Sequence, residues 1–336
     1  MSTKTSLIAR VATVAVTAVL GVGLAACGSP SGGSAPPPSA GAAADTLTMG
    51  FAQVGAESGW RTANTKSVQE SAAAAGVDLK FSDAQQKQEN QIKAIRSFIQ
   101  QRVDVIAFSP VVETGWDTVL QEAKRAQIPV ILTDRSVDST DDTLFATFLG
   151  SDFIAEGKKA GDWLTQQYQG NTAPVSIVEL QGTTGAAPAI DRKQGFADAI
   201  ATAPNLKVVA SQTGDFTRSG GKQVMEAFLQ SQPKIDVVYA HNDDMALGAI
   251  EAIEAAGKVP GKDIKIITVD AVRDGMQALA DGKINYIVEC SPLLGPQLMD
   301  LAKKVKAGDT VEARVLTEET TFTQEQAKAA LPDRKY

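Results

Sequence analysis

Charged and planar polar side chains follow nearly every predicted strand of this 336-residue chain. Asp134 and Arg135 come directly after the fourth strand, Asn242 after the eighth and Asp270 after the ninth. Because Asp, Asn and Arg can each bond two oxygen atoms at once, these groups suit vicinal hydroxyls. An aromatic residue accompanies them in each half of the chain, and an aromatic face suits the C–H side of a sugar ring. The pattern predicts a carbohydrate-binding cleft.

The candidate ligand-binding residues all lie at or just beyond strand ends. They are Glu57, Trp60, Arg61, Asp134, Arg135, Arg192, Phe216, Asn242, Asp270 and Glu289. An Asn in this position could equally cap a helix, so both roles stay open for Asn242. Trp60 and Phe216 could belong to the core, but each lies beside a charged residue at a strand end, which favours a cleft wall.

Other polar residues at strand ends are assigned no role in binding. Asp83, Asp152 and Asp244 are expected to be turn or helix-capping residues. His241 is expected to contact only solvent or its neighbours. It is the single histidine of the chain, and it precedes Asn242 in a segment that resembles the start of a helix.

Alternating strands and helices must position these residues. Predicted strands cover 47–53, 77–81, 103–108, 129–133 and 143–149, and then 175–178, 207–211, 236–239, 264–269 and 284–288. Strands rich in Val and Ile, alternating with helices, indicate parallel sheets that are covered on both faces. Two successive sets of about five strands predict an α/β protein with two doubly wound parallel-sheet lobes. Ligands of such sheets bind beyond the carboxyl ends of the strands.

The N-terminus has the pattern of a secretory signal peptide, residues 1–26. Lys4 and Arg10 are followed by a short apolar run and small residues, which is too short for a membrane-spanning helix. The sequence Leu-Ala-Ala-Cys at 24–27 resembles a bacterial lipobox, which predicts lipidation of Cys27. Residues 27–45 are rich in Gly, Ser, Pro and Ala, and are predicted to be a flexible linker. We therefore expect an extracytoplasmic protein that its lipid anchors to the membrane.

Composition excludes several other functions. A net charge of -7 gives the chain no general affinity for nucleic acid. One histidine and one cysteine besides Cys27 are too few ligands for a His/Cys zinc site, and lipidation of Cys27 would leave Cys290 without a disulfide partner. Common catalytic and phosphate-binding motifs do not occur. We expect no cofactor, no metal and no catalysis.

Six stretches together carry a resemblance to a known family. They are QVGAESGWR at 53–61, QQKQENQ at 85–91, DRS at 134–136, AIDRK at 189–193, GDFTR at 214–218 and AHNDDM at 240–245. Over residues 46–336 the chain resembles type I periplasmic binding proteins of the ribose/galactose group, and within them the galactofuranose-binding branch. These are the substrate-binding subunits of sugar ABC importers.

The resemblance implies roles for particular residues. In the family, residues at the positions of Asp134, Arg135, Arg192, Phe216, Asn242 and Asp270 bind sugar hydroxyls or the ring face. Trp60 and Arg61 are characteristic of the galactofuranose branch. The chain departs from the family at Ala271, where glycine is usual, and from the branch at 289–292.

The resemblance also implies how the chain works. Residues 46–149 with 290–316 would form one lobe, and residues 150–289 with 317–336 the other. Three crossings, near 149–152, 289–291 and 315–318, would act as a hinge around one monosaccharide. A monomer in the closed form would dock on a membrane permease. The alternative is a sensor that presents the sugar to a receptor or chemoreceptor.

Overall fold

The computed structural model describes residues 46–336. The predicted signal peptide, lipidated Cys27 and linker lie outside the described residues. Between residues 46 and 336 no helix is both long and apolar enough to cross a membrane.

Strands and helices alternate through the described chain. The strands are β1 Thr48–Gln53, β2 Asp78–Asp83, β3 Val105–Phe108, β4 Val130–Thr133, β5 Thr147–Gly150, β6 Val175–Gln181, β7 Leu206–Thr213, β8 Val237–Ala240, β9 Lys265–Asp270, β10 Tyr286–Glu289, β11 Arg314–Leu316 and β12 Thr321–Phe322. The helices are α1 Gly59–Ala75, α2 Gln88–Gln101, α3 Asp117–Arg125, α4 Phe153–Gln167, α5 Ala187–Ile200, α6 Arg218–Ser231, α7 Asp243–Ala255, α8 Arg273–Ala280, α9 Gly295–Ala307 and α10 Gln324–Ala330. Two 3₁₀ turns cover Asp142–Leu144 and Leu331–Asp333.

The strands form two six-stranded sheets. The first has the order β11-β5-β4-β3-β1-β2 and is parallel throughout. The second has the order β12-β10-β9-β8-β6-β7, in which only β12 runs antiparallel to its neighbour. We call the first sheet with its helices the N-terminal lobe and the second the C-terminal lobe. The predicted α/β class with two doubly wound parallel sheets is confirmed.

Each sheet is covered on both faces because its side chains alternate. In β3, Val105 and Ala107 pack into one apolar cluster, whereas Ile106 and Phe108 pack into the cluster on the opposite face. All four are buried completely. Continuous apolar strands of this kind are expected when helices cover both faces of a parallel sheet.

The chain crosses between the sheets three times. It leaves the first sheet after β5, returns after β10, and leaves again after β11. Between the last two crossings, α9 packs against α1 of the N-terminal lobe. The prediction of strands missed β11 and β12, which are only three and two residues long. Segments this short carry no readable alternation of apolar and polar residues.

Candidate functional site

A cavity lies where the carboxyl ends of both sheets meet. It is lined by Glu57, Ser58, Trp60, Arg61, Asp134, Arg135, Pro188, Arg192, Phe216, Asn242, Asp270 and Cys290. Nine of the ten candidate residues are therefore brought together, the exception being Glu289. The sequence reasoning missed Ser58, Pro188 and Cys290, of which only Ser58 gave a signal, as a residue of capping type directly before a helix.

Arg61 organises the wall that the N-terminal lobe contributes. Its side chain projects from the first turn of α1, which begins with Ser58 as N-cap. Its guanidinium donates to Asp134 at 2.6 Å and to Glu57 at 3.1 Å, and also to Gln53 and Ser109. Burial by itself would lower the pKa of Arg61, but Asp134 and Glu57 more than offset it and raise that pKa. Arg61 therefore stays charged and holds both carboxylates in place.

Nearby carboxylates neutralise the positive charge of Arg135 much less completely than that of Arg61. Its closest contacts with carboxylates, to Glu57 and Asp134, are both 3.7 Å long, and Nη1 donates only to backbone carbonyls. Burial, together with the charge of Arg61, lowers the pKa of Arg135 to about 10. Its guanidinium carbon lies 5.2 Å from the ring centre of Phe216 in the other lobe. This cation points into the cavity with spare donor capacity.

Arg192 organises the opposite wall. Its Nε donates to Glu156 at 2.6 Å and its Nη1 to the carbonyl of His241 at 2.7 Å, while its Nη2 lies 3.9 Å from Asp270. Burial raises the pKa of Asp270 well above its ordinary value, against the opposing charge of Arg192. Burial also raises the pKa of Glu156 to about 8.

Phe216 and Asn242 complete the wall of the C-terminal lobe. Phe216 has a φ of +61°, in the left-handed region, and a Cβ on Gly182 would lie only 1.8 Å from its Cζ. Glycine at 182 is what lets the ring approach the backbone so closely. Asn242 caps α7 by accepting from the Met245 amide at 3.1 Å, and its amide nitrogen donates to the Phe216 carbonyl. Asn242 therefore caps a helix and lines the cavity at the same time.

Three polar atoms of cavity-lining side chains are buried and have no hydrogen-bond partner among residues 46–336. They are Oε2 of Glu57, Nε of Arg135 and Oδ2 of Asp270. Buried polar atoms are nearly always bonded in folded proteins. Two carboxyl groups and one guanidinium around one cavity call for a molecule that both donates and accepts hydrogen bonds.

Glu289 does not line the cavity. It ends β10, and the next residue, Cys290, is the one that lines the cavity. Side chains alternate along an extended strand, so neighbours point to opposite sides. The Glu289 carboxylate instead accepts from Arg334 at 2.7 Å and from the Tyr336 hydroxyl at 2.9 Å. We therefore leave Glu289 out of the candidate site.

Two further expectations from the sequence are corrected. His241 is completely buried rather than solvated, and its Nε2 lies 3.2 Å from Glu179. Burial lowers the pKa of His241, so the ring is held neutral behind the cavity wall. Asp244 does not cap its own helix but accepts from the Gly59 amide of the other lobe. By contrast, Asp152 caps α4, and Asp83 accepts from the Gln85 amide, as expected of a capping and a turn residue.

The three crossings between lobes converge on Glu319. Its Oε1 accepts from the Ser151 and Thr317 hydroxyls and from the Ser291 amide, one residue from each crossing. The side chains of Cys290, Glu156 and Glu319 approach within 4.8 Å of one another beside this junction. The indole nitrogen of Trp60 donates to the Cys290 carbonyl at 2.7 Å. The cavity wall and the junction are therefore directly connected.

Two doubly wound lobes with a buried polar cavity between them define a solute-binding protein of the α/β type. The family model for the periplasmic binding protein domain matches residues 49–310. The chain belongs to the periplasmic binding protein family, whose members act outside the cytoplasm.

Individual relatives show which branch of the family the chain resembles. The galactofuranose-binding protein YtfQ of Escherichia coli (strain K12) is 51% identical over 298 residues, which cover 88% of this chain and 93% of that protein. A Mycobacterium smegmatis structure in complex with β-D-fucofuranose is 71% identical, with a TM-score of 0.86 over 87% of this chain and 96% of that chain.

A third relative is the binding protein of the arabinose ABC transporter from Shewanella sp. ANA-3, bound to α- and β-L-arabinofuranose. It is 52% identical, with a TM-score of 0.83 over 86% of this chain and 96% of that chain. The resemblance to the galactofuranose-binding branch of type I periplasmic binding proteins is confirmed.

Proposed function

We propose that this protein binds one neutral monosaccharide in its furanose form, of the galactofuranose kind, and delivers it to an ABC importer. The observation that carries the proposal is the set of three unpartnered buried polar atoms around one cavity, on Glu57, Arg135 and Asp270. A sugar hydroxyl both donates and accepts, so vicinal hydroxyls can satisfy carboxylates and a guanidinium together.

The charges at the cavity favour a neutral ligand. Each of the three guanidinium groups at the cavity lies against acidic side chains: Arg61 and Arg135 against Glu57 and Asp134, and Arg192 against Glu156 and Asp270. A charged ligand would upset this balance in a buried site, where an uncompensated charge is expensive. A sugar adds dipoles without net charge, so it gains hydrogen bonds at the least electrostatic penalty.

The aromatic walls favour a small ring. Trp60 and Phe216 are both buried and narrow the cavity from different lobes. The relatives described above carry fucofuranose, arabinofuranose or galactofuranose in their names, which supports a furanose here as well.

The proposed site consists of the nine candidate residues that line the cavity. We assign no catalytic role to any of them. Each acidic side chain near the cavity either pairs with an arginine of the protein or is proposed to bond a sugar hydroxyl. Delivery to a permease, as a monomer, is proposed from membership of the family. The sequence around Cys27 supports a lipid anchor that keeps the protein beside that permease.

Mass spectrometry of ligand released from freshly purified protein tests the substrate class. We expect a hexose or pentose, and calorimetry with galactose and L-arabinose should give a Kd near or below about 1 μM, with ribose binding much more weakly. A released amino acid, or ribose bound as tightly as galactose, would refute the furanose assignment.

The anchor needs its own experiment. Intact mass of the wild-type protein from membranes should show acyl chains on Cys27, and Cys27→Ala should move the protein to the soluble fraction with sugar affinity unchanged. A wild-type chain without acyl mass would refute the lipid anchor and leave the binding site untouched.

A further inference from the structure

Asp244 joins the two lobes at a point outside the sugar cavity. It lies in the first turn of α7 in the C-terminal lobe, and its Oδ2 accepts from the Gly59 amide of the N-terminal lobe at 2.7 Å. Asp244 is not among the residues that line the cavity, although Asn242, two residues earlier, is. Asp244 therefore lies outside the lining of the proposed sugar cavity.

The partner of Asp244 is an amide that the N-terminal lobe cannot satisfy by itself. Gly59 is the first residue of α1, where the amides have no acceptor within the helix. The N-cap side chain, Ser58, already accepts from the Arg61 amide. A carboxylate at this end also meets the positive pole of the helix dipole. Only when the lobes are closed does α1 receive this second cap.

The C-terminal lobe holds the acceptor ready. Arg218 donates to Oδ1 of Asp244 at 3.3 Å and to Asp274 at 3.1 Å, both within its own lobe. Asp244 keeps only 8% of its surface exposed. A carboxylate that is already oriented loses little freedom when it bonds across the cleft.

We propose that Asp244 is a positioning residue that stabilises the closed lobes and raises the affinity for every sugar this site takes by the same factor. The inference rests on the proposed sugar-binding function. Since only closed molecules hold ligand on both walls, the apparent dissociation constant is the intrinsic one divided by the closed fraction. A bond present in the closed state alone increases that fraction.

The closed state keeps other contacts between the lobes when this bond is removed. The Glu113 amide donates to the Gly185 carbonyl at 2.9 Å, and Arg135 lies against Phe216. Loss of the Asp244 bond should therefore shift the equilibrium between open and closed lobes towards the open state without abolishing closure. We expect a partial loss of affinity that is equal for all sugars, whereas removal of a ligand contact would affect different sugars differently.

The test compares Asp244→Ala with Glu251→Ala. Glu251 lies on the same helix and pairs with Lys222 within the C-terminal lobe, so it is the matched control. Calorimetry with galactose and L-arabinose should show about tenfold weaker binding of both sugars to Asp244→Ala, with their affinity ratio unchanged. Small-angle scattering without ligand should show a larger radius of gyration. Glu251→Ala should match the wild type in both measurements.

Gly59→Pro is the reciprocal variant. Proline is tolerated at the first helical position, and Ser58 before it is extended, as proline requires. It removes the amide hydrogen and places a ring carbon against Oδ2 of Asp244, so it should weaken both sugars equally, and Asp244→Ala should recover part of that loss by relieving the clash.

Unchanged sugar affinity and an unchanged radius of gyration in Asp244→Ala would overturn the proposal. A change in the ratio of the galactose and L-arabinose affinities would also overturn it, because it would show that Asp244 contacts the ligand. Failure of the wild type to bind any sugar would instead refute the proposed function. The scattering comparison without ligand would still decide whether Asp244 holds the lobes together.

Discussion

The Nη2 atom of Arg61 lies 2.6 Å from Oδ2 of Asp134, and both side chains are almost completely buried. Arg135, next to Asp134 in sequence, approaches that same Oδ2 atom only to 3.7 Å. Two arginines therefore share one carboxylate unequally. The first is neutralised within the protein, and the second keeps its donor capacity for a ligand. This difference predicts that Arg61→Met and Arg135→Met affect the stability of the ligand-free protein differently.

Arg61→Met should destabilise the ligand-free protein strongly. It leaves the buried carboxylates of Glu57 and Asp134 without their principal partner, and breaking a buried ion pair on one side costs about 3–5 kcal/mol. Urea unfolding measures the loss. A free energy of unfolding within about 1 kcal/mol of the wild type would contradict the organising role of Arg61.

Arg135→Met should separate binding from stability. Because Arg135 is buried with weak partners, an apolar side chain of similar volume should leave the ligand-free stability unchanged or raise it by up to about 2 kcal/mol. Sugar affinity should fall at least tenfold, since the unpartnered Nε is lost. Calorimetry and urea unfolding on the same preparation check both parts, and a stability loss as large as that of Arg61→Met would refute the distinction.

Ala271→Gly should be nearly neutral or stabilising. Ala271 has a φ of +67°, in the left-handed region that costs a residue with a Cβ about 1–2 kcal/mol. Relief of that strain offsets the lost methyl packing and the greater freedom of glycine in the unfolded chain. Ala249, equally buried in the same apolar cluster but helical, is the matched control. We expect Ala249→Gly to lose about 1–2 kcal/mol in urea, and an equal loss in both variants would contradict the strain at Ala271.

Stability of the ligand-free protein should fall as pH rises from about 5 to 8. Burial raises the pKa of Glu156 to about 8 in the folded protein, with Glu319 adding to the shift and Arg192 opposing it, whereas the unfolded value is about 4.3. Between these values the folded state holds a proton that the unfolded chain has released. The free energy of unfolding therefore decreases with pH, by up to about 1.4 kcal/mol per pH unit.

Glu156→Gln is the variant that isolates this effect. It keeps the shape of the side chain but removes the titrating group, so its stability should change less between pH 5 and 8. Urea unfolding at several pH values measures both slopes. Parallel slopes in the wild type and the variant would show that Glu156 is not the group responsible.

Sequence by itself determined the elements and most of the site. Strands rich in Val and Ile, separated by amphipathic helices, allow only a parallel sheet covered on both faces, as β3 shows. The carboxyl ends of parallel strands meet at one edge of a sheet, so Asn242 and Asp270 could be placed together, and Asp134 at the corresponding edge of the other sheet, before any contact was known. Each of these inferences depends on local periodicity and on a general rule of topology.

Only the tertiary structure decided the direction of Glu289, the burial of His241 and the partners of Asp244 and Glu319. Alternation places neighbouring residues on opposite sides of a strand, but which side faces the cavity depends on what packs there, and Arg334 follows Glu289 by 45 residues. Asp244 meets an amide 185 residues away in sequence. Such bonds depend on how two lobes close on each other, which no local pattern of residues records.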